Sequence, residues 1–546
     1  MTLKRTICIS IAIILGILFL VLGVLIVLFF RALVDAFIAG ELPLRQGSQT
    51  FELWSKPPVQ PMLKVYFFNV TNHKDFLENG AKLHVKEIGP YVYSEKWEKV
   101  DPVWHPNGTL SYRTVKNFTF EPELSFGSEA DSVLLPNLPM LAAVSQMGHS
   151  TKIVKKAVST ILDVLKMEPF SVHTVKELLW GYDDPLLKLA KGVLPADKRF
   201  PYDQFGFFVG KNNTPSEVYT VLTGREELVD FAKIKIYGGK DNLGVWGTPD
   251  CNAIKGSDGT GFPAMLTENS TVFIYQPDFC RSLELRVKNR QPQKHEGFET
   301  LRFQPADHVF GSVEDYPENK CYCENAKCAP RGVFNVSHCQ FNSPVFLSWP
   351  HFLNADPKLS ENIVGLNPKP ELHTFYVDIQ PKLGLAMQAK GRVQINIQMS
   401  KVDEIPQTAN LTDLLIPIVW FEDGIEQLPP VVLGLLRQAI SMPEVAEAAL
   451  SYILFVIGGL LIVGGIMYFI KYSYGRTNKL ASSTNHPPHS KVDTFPVKGE
   501  KDNEKNGVNG KHQYSNSVEM EDKVIITSKD EKPKNGLNKE VESAMT

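Results

Sequence analysis

Two stretches of the chain carry no charge. Residues 7–30 and 448–470 are apolar for 24 and 23 positions. At about 1.5 Å per helical residue, each is long enough to cross a hydrocarbon core of roughly 30 Å with some tilt. Both contain glycine (Gly16, Gly23; Gly458, Gly459, Gly464, Gly465), which is more frequent in membrane helices than in soluble ones. A cleaved secretory leader is the alternative for the first stretch. Its apolar run is too long for that, no small-x-small site follows Phe30, and Arg31, Ala32, Leu33 and Val34 read as a continuing helix. Lys4 and Arg5 precede the first span, and Lys471, Arg476 and Lys479 follow the second. Positive flanks stay in the cytosol, so both termini are expected there, with Arg31 as the lone exception. The expected organisation is a cytosolic start (1–6), a span (7–30), an external region (31–447), a second span (448–470) and a cytosolic tail (471–546).

Between the spans the pattern changes to that of strands. Residues 65–68 form an apolar run, and 91–93 and 110–112 flank a Pro106-Asn107-Gly108 turn, which predicts a hairpin. Residues 271–275, 374–379 and 392–397 alternate or are β-branched and aromatic. The external region therefore reads as mainly β. Residues 151–167 differ: Ile153, Val154, Ala157, Val158, Ile161, Leu162 and Leu165 recur at helical spacing, and Pro169 follows. The opposite face carries Lys152, Lys155, Lys156 and Lys166. A solvated face explains those lysines, and so does a basic surface that attracts anionic ligands.

Charge and cysteine usage test the topology independently. The 546 residues have a formal net charge of −3, without the basic excess that marks a nucleic-acid binder. N-glycosylation sequons occur at Asn69, Asn107, Asn117, Asn212, Asn269, Asn335 and Asn410, all between the spans. Six of seven cysteines, Cys251, Cys280, Cys321, Cys323, Cys328 and Cys339, also lie there. An even set in an oxidising compartment predicts three disulfides, with fifteen pairings open. Zinc is the rival, since Cys321, Cys323, Cys328, His338 and Cys339 crowd together, but their spacing matches no common zinc pattern. Cys8 sits at the cytosolic edge of the first span, where S-palmitoylation or an ordinary membrane-facing thiol is expected.

Enzymatic chemistry is not expected, nor a cofactor or metal. Nucleophile-elbow and paired-histidine metalloprotease motifs are missing, and the run from Gly256 to Gly261 lacks the Lys-Ser/Thr of a phosphate loop and reads as a turn. Asp183-Asp184 reads as a helix-end or turn feature. The tail is polar and charged and is expected to be disordered; Glu521 to Ile526 faintly matches an acidic dileucine sorting signal.

A run of motifs gives a family resemblance. Val65-Tyr66-Phe67-Phe68-Asn69-Val70-Thr71-Asn72 is followed by Gly89-Pro90-Tyr91-Val92-Tyr93, Glu177-Leu178-Leu179-Trp180-Gly181-Tyr182 and Phe279-Cys280-Arg281-Ser282. Pro350-His351-Phe352-Leu353, Gly365-Leu366-Asn367-Pro368 and Ile416-Pro417-Ile418-Val419-Trp420 complete the series. In this order between two terminal spans, the chain resembles the class B scavenger receptors, which include fatty-acid and lipoprotein receptors, a lysosomal integral membrane protein and insect sensory-neuron membrane proteins. The resemblance implies an irregular antiparallel β-barrel ectodomain with a lipid tunnel and an apical helical bundle, held by two terminal transmembrane helices: a membrane-anchored α+β protein, mainly β. It implies the pairs Cys251–Cys321, Cys280–Cys339 and Cys323–Cys328, and a ligand-contact role for Lys152, Lys155, Lys156 and Lys166. The implied function is capture of lipid ligands or lipoproteins and delivery of lipid to the membrane; an endocytic or phagocytic recognition receptor, or a lysosomal sorting receptor, is the alternative. Implied partners are lipids, lipoproteins or other anionic ligands, the membrane and further copies of the chain. The plasma membrane is the expected location, with endosome or lysosome second. Two features depart from the vertebrate members: a longer segment between Leu141 and His173, and a longer tail.

Overall fold

The computed structural model describes residues 3–148, 150–193, 199–288, 293–324 and 327–483. The expected tail beyond 483, with its Glu521 to Ile526 motif, lies outside the described residues. Eleven strands form the main path of one sheet: β1 (Met62–Val70), β2 (Leu83–Trp104), β3 (Thr109–Phe120), β4 (Tyr219–Leu222), β5 (Ile234–Tyr237), β6 (Thr271–Gln276), β7 (Arg281–Val287), β8 (Phe298–Pro305), β9 (Tyr376–Gln380), β10 (Leu385–Met399) and β11 (Leu414–Gly424). Their order is β6-β7-β8-β9-β10-β11-β1-β2-β3-β4-β5. Each strand pairs with its neighbour in sequence, antiparallel throughout, and the first and last are joined by the β1–β11 ladder, with Met62 opposite Gly424 and Tyr66 opposite Trp420.

The two free edges, β5 and β6, are bridged by the glycine-rich run. Ile234 N–H donates to Gly256 O at 2.8 Å, and Ser257 exchanges bonds with Phe273 O and Tyr275 N at 3.1 and 2.9 Å. The result is a nearly closed barrel without long exposed edges, the usual remedy for unpaired strand groups. Gly256 has φ +82°, and a Cβ there would lie 2.0 Å from Phe273 O; only glycine lets the backbone approach this closely.

The orientation of the barrel follows from β10. Its start shares a core cluster with Leu428, Val432 and Leu436, which lead into the second apolar helix (Met387 and Leu385 on the strand side). Its 15 residues span about 45 Å. Beyond its end, Ile405 packs with Met140, Val144, Leu162 and Leu186. The helices Leu138–Met147, Lys152–Val164 and Pro185–Val193 therefore sit at the end of the barrel remote from the spans. They belong to the β3–β4 connection; Asp184 Oδ1 accepts from Leu186 N and Leu187 N and starts the third of them.

Two helices have the length and hydropathy of membrane spans, Thr6–Glu41 and Pro430–Tyr474. They approach closely at small residues: a Cβ on Gly16 would lie 2.9 Å from Gly458 O, and one on Gly458 would lie 2.8 Å from Gly16 O. Arg31, the exception to the positive-inside pattern, bonds to Glu447 at 2.7 Å, so its charge has a partner on the other helix. Asp35 pairs with Lys382 in the β9–β10 turn, which ties the first helix to the barrel.

Disulfides join Cys251 to Cys321, Cys280 to Cys339 and Cys323 to Cys328, with Cα–Cα distances of 6.5, 6.1 and 4.4 Å. The first two staple the β5–β6 connection and the β6–β7 turn to the long β8–β9 connection. Cys8 is unpaired and exposed on the first apolar helix.

Candidate ligand surface and barrel interior

The helix Lys152–Val164 begins after Thr151 and packs on the bundle through one half of its length. Leu162 and Ser159 are buried, with Val158, Ile161 and Leu165 half-buried beside them. At its start Ile153 is 83% exposed, and Val154 and Ala157 also face solvent, because the first turns overhang the bundle. Lys152, Lys156 and Lys166 are exposed. Lys155 is not free: its Nζ lies 3.0 Å from Glu404, a residue of the β10–β11 connection, and the bond holds the Glu404 carboxyl below its ordinary range. An apolar cleft of about 510 Å³ opens between this helix and the third, lined by Ile161, Val164, Leu165, Pro185 and Leu189. The membrane-distal surface thus combines three exposed lysines with exposed aliphatic groups.

Within the barrel, one face of β2, β3 and β11 carries Tyr93, Glu95, Trp97, Lys116, Phe118, Phe421 and Asp423, since these residues alternate in register across the β2–β3 ladder. Trp180 and Phe208 join them from the β3–β4 connection. Ring centroids lie 5.4 Å apart for Tyr93–Trp180, Phe118–Trp180 and Phe208–Phe421. Lys116 Nζ sits 4.4 Å over the Trp97 ring, 3.1 Å from Glu95 and 3.7 Å from Asp423. Burial is the largest influence on Asp423 and, with the Glu95 charge, pushes its carboxyl up to about 7. Burial opposes the charge on Lys116, but Glu95 and Asp423 outweigh it and raise its pKa. Yet the Lys116 and Asp423 side chains are 36% and 39% accessible. Both side chains therefore keep partly accessible surface among the aromatic rings. Further toward the spans the same face carries Lys99, buried against Asp258 at 3.1 Å and under Trp54 and Tyr112. Burial lowers the Lys99 pKa despite Asp258. This face is thus partly ionic, and its charges are held as mutually bonded groups.

The opposite face of the same strands is closed. Tyr66 stacks on Trp420 at 3.9 Å. Trp420 Nε1 donates to Glu87 at 2.7 Å, and His351 Nε2 bonds to the same carboxylate at 2.6 Å. His351 Nδ1 accepts from Asn367 N at 3.1 Å, so its proton sits on Nε2. Burial works against the Glu87 charge, but the bonds from His351 and Trp420 prevail and hold its pKa below the ordinary value. Burial pushes His373, stacked on His351, down to about 4. Beside them Glu422 accepts from Arg392 and Lys390 at 2.8 Å. Four of the sequence motifs therefore meet at one cluster. Glu87, which bonds two of them, belongs to none and gave no signal of its own.

Asn107, Asn117, Asn212, Asn269 and Asn410 are exposed. Asn69 and Asn335 are half-buried; Asn69 accepts from Leu134 N, and Asn335 donates to Glu324.

A nearly closed β-barrel held between two long apolar helices, with half-accessible aromatic and charged groups on one face of its strands, defines a two-span membrane protein with a β-rich domain between its spans. The chain belongs to the CD36 family, whose model matches residues 14–469. It is 35% identical over 449 residues to scavenger receptor class B member 1 of Mus musculus, covering 82% of this chain and 87% of that one. It is 34% identical to the Rattus norvegicus protein of the same name, with 84% and 88% covered. Lysosome membrane protein 2 of Homo sapiens is 32% identical over 399 residues, with 72% of this chain and 81% of that one covered.

Proposed function

We propose that this protein is a non-enzymatic receptor that captures lipid, free or in anionic particles, at its membrane-distal helices and delivers it through the barrel to the outer leaflet. The observation that carries the reading is the accessible surface of Lys116 and Asp423 among inward aromatic rings. A lipid leaving water for such a site gains about 0.8 kcal/mol per buried methylene, so an enclosed route lets it move between carrier and bilayer without dissolving. Transfer is passive, down a concentration gradient. Lys152, Lys156 and Lys166 steer anionic carriers, an attraction that weakens as salt rises. In this reading residues 31–447 face outside, glycosylated at the exposed sequons, residues 1–6 and 471–546 are cytosolic, and the protein works at the plasma membrane.

The test is uptake of a fluorescent lipid from lipoprotein-like particles by cells with endocytosis blocked. Persisting transfer into the membrane is expected. Transfer that stops with endocytosis would overturn the reading in favour of a particle-internalising or sorting receptor.

A further inference from the structure

A groove of a different kind lies at the other end of the molecule, where the second apolar helix leaves the barrel. It encloses about 640 Å³ and is lined by Phe298, Met442, Val445, Ala446 and Ala449, with Arg437, Ser441, Glu296 and Gly297 completing it. Its position is set by two local features. The helix carries a π-helical turn over Arg437–Ser441, an insertion that widens the helix and re-aims its side chains, often at functional sites. Facing it is the two-residue turn between His295 and Phe298, which pair across the hairpin. Glu296 and Gly297 both have positive φ, 51° and 87°, the geometry of a type I′ turn, so Glu296 is presented from a rigid hairpin tip.

The groove has a polar end and an apolar end. Arg437 and Glu296 are exposed, and among the described residues no salt bridge engages either. From Arg437 to Ala449 the helix rises about 18 Å, passing Met442 (60% exposed) and Val445 (68% exposed). Ala449 is already inside the uncharged run, so the apolar end is continuous with the hydrocarbon layer. An exposed cation and an exposed anion, neither in a salt bridge among the described residues, at the mouth of an apolar slot that opens into a bilayer match one chemistry closely. A zwitterionic phospholipid places its phosphate on Arg437 and its ammonium on Glu296, with an acyl chain along Val445, Ala446 and Ala449. An anionic phospholipid would satisfy Arg437 but repel Glu296; a sterol would leave both charges unmatched.

We propose that this groove is a binding site for a zwitterionic phospholipid of the outer leaflet, separate from the barrel interior. It requires only that the second helix span the membrane, and it stands or falls independently of transfer through the barrel.

The experiment uses the full chain in nanodiscs of equal parts dioleoyl phosphatidylcholine, dioleoyl phosphatidylglycerol and cholesterol, followed by native mass spectrometry of the lipids retained on release. Retained phosphatidylcholine should exceed phosphatidylglycerol by about ten-fold, the scale on which an attraction between Glu296 and the ammonium differs from a repulsion. Arg437→Glu should lower phosphatidylcholine retention by a similar factor, Glu296→Lys should turn the preference toward phosphatidylglycerol, and Ala446→Trp should reduce both phospholipids by filling the slot. Both charged residues are exposed, and the thermal midpoint of each variant verifies its folding. Equal retention of the two phospholipids by the unmodified chain, preferential retention of cholesterol, or phosphatidylcholine retention unchanged in folded Arg437→Glu would overturn the proposal. Lipid transfer in the same variants separates the two readings: a chain that transfers lipid but shows no headgroup preference refutes the groove alone.

Discussion

The two faces of β1, β2, β3 and β11 are built from alternate residues of the same strands, yet they do opposite things. One face links Tyr66, Trp420, Glu87 and His351 in a connected set of stacks and hydrogen bonds. The other keeps Lys116, Phe421 and Asp423 partly accessible. The motifs that carry the family resemblance fall largely on the closed face. Membership of the family is thus written largely in the scaffold; of the inward-facing residues, Tyr93 and Trp180 belong to motifs, whereas Glu95, Lys116, Phe421 and Asp423 carry none of that signal.

The sharpest way to break this contrast is at Glu422 on the closed face, which binds Arg392 and Lys390 while Lys64 lies at 3.3 Å. Glu422→Ala leaves a buried guanidinium without its carboxylate and should destabilise the ectodomain by about 3–5 kcal/mol, read as a fall in thermal midpoint; a change under about 1 kcal/mol would show that the face is not the scaffold. Leu162→Ala, in the membrane-distal bundle, should cost about 2–5 kcal/mol, and limited proteolysis should reveal the loss at the bundle first. Substituting Lys152, Lys156 and Lys166 together with Glu should lower binding of anionic vesicles by an order of magnitude or more and flatten its salt dependence; equal binding in both proteins would remove those residues from the ligand surface.

A smaller effect tests the inner face. The Asp423 pKa is about 7 in the fold against about 3.9 for an unfolded aspartate. The fold therefore holds this proton more tightly, and the stability it contributes is present in full below about pH 4 and lost as pH rises through 7. Asp423→Asn should remove that loss, so the thermal midpoint of the variant should gain on the parent between pH 4 and 7. Parallel midpoints over that range would mean that the carboxyl titrates as if in water. The smallest change expected is at Ile153: Ile153→Ala should stay within about 0.5 kcal/mol, because that side chain is 83% exposed.

The legible parts of the chain were those with local signals. Uncharged runs marked the spans, alternation marked β1, β2, β3, β6 and β10, and the 3.6-residue period marked the helix Lys152–Val164. Long-range relations were not legible. Nothing near Gly256 says that it closes a seam between strands, and Lys155 finds Glu404 only because the β10–β11 connection returns over the bundle. The period of that helix could say which side is apolar, but not that its neighbours cover only half its length. Glu87 and Asp423 look like ordinary strand acids until the register sets one against His351 and the other beside Lys116.

The ladder between β1 and β11 also bears on how the molecule is made. About 340 residues separate Val70 from Leu414, and at roughly 5–20 residues per second the second partner is synthesised some tens of seconds after the first. Throughout that interval β1 lacks the neighbour on one side, and the apolar helix already anchored before it has no mate. Any factor that guards the nascent chain has to shield that bare strand until translation is almost finished, and a truncation anywhere before Leu414 would strand it permanently.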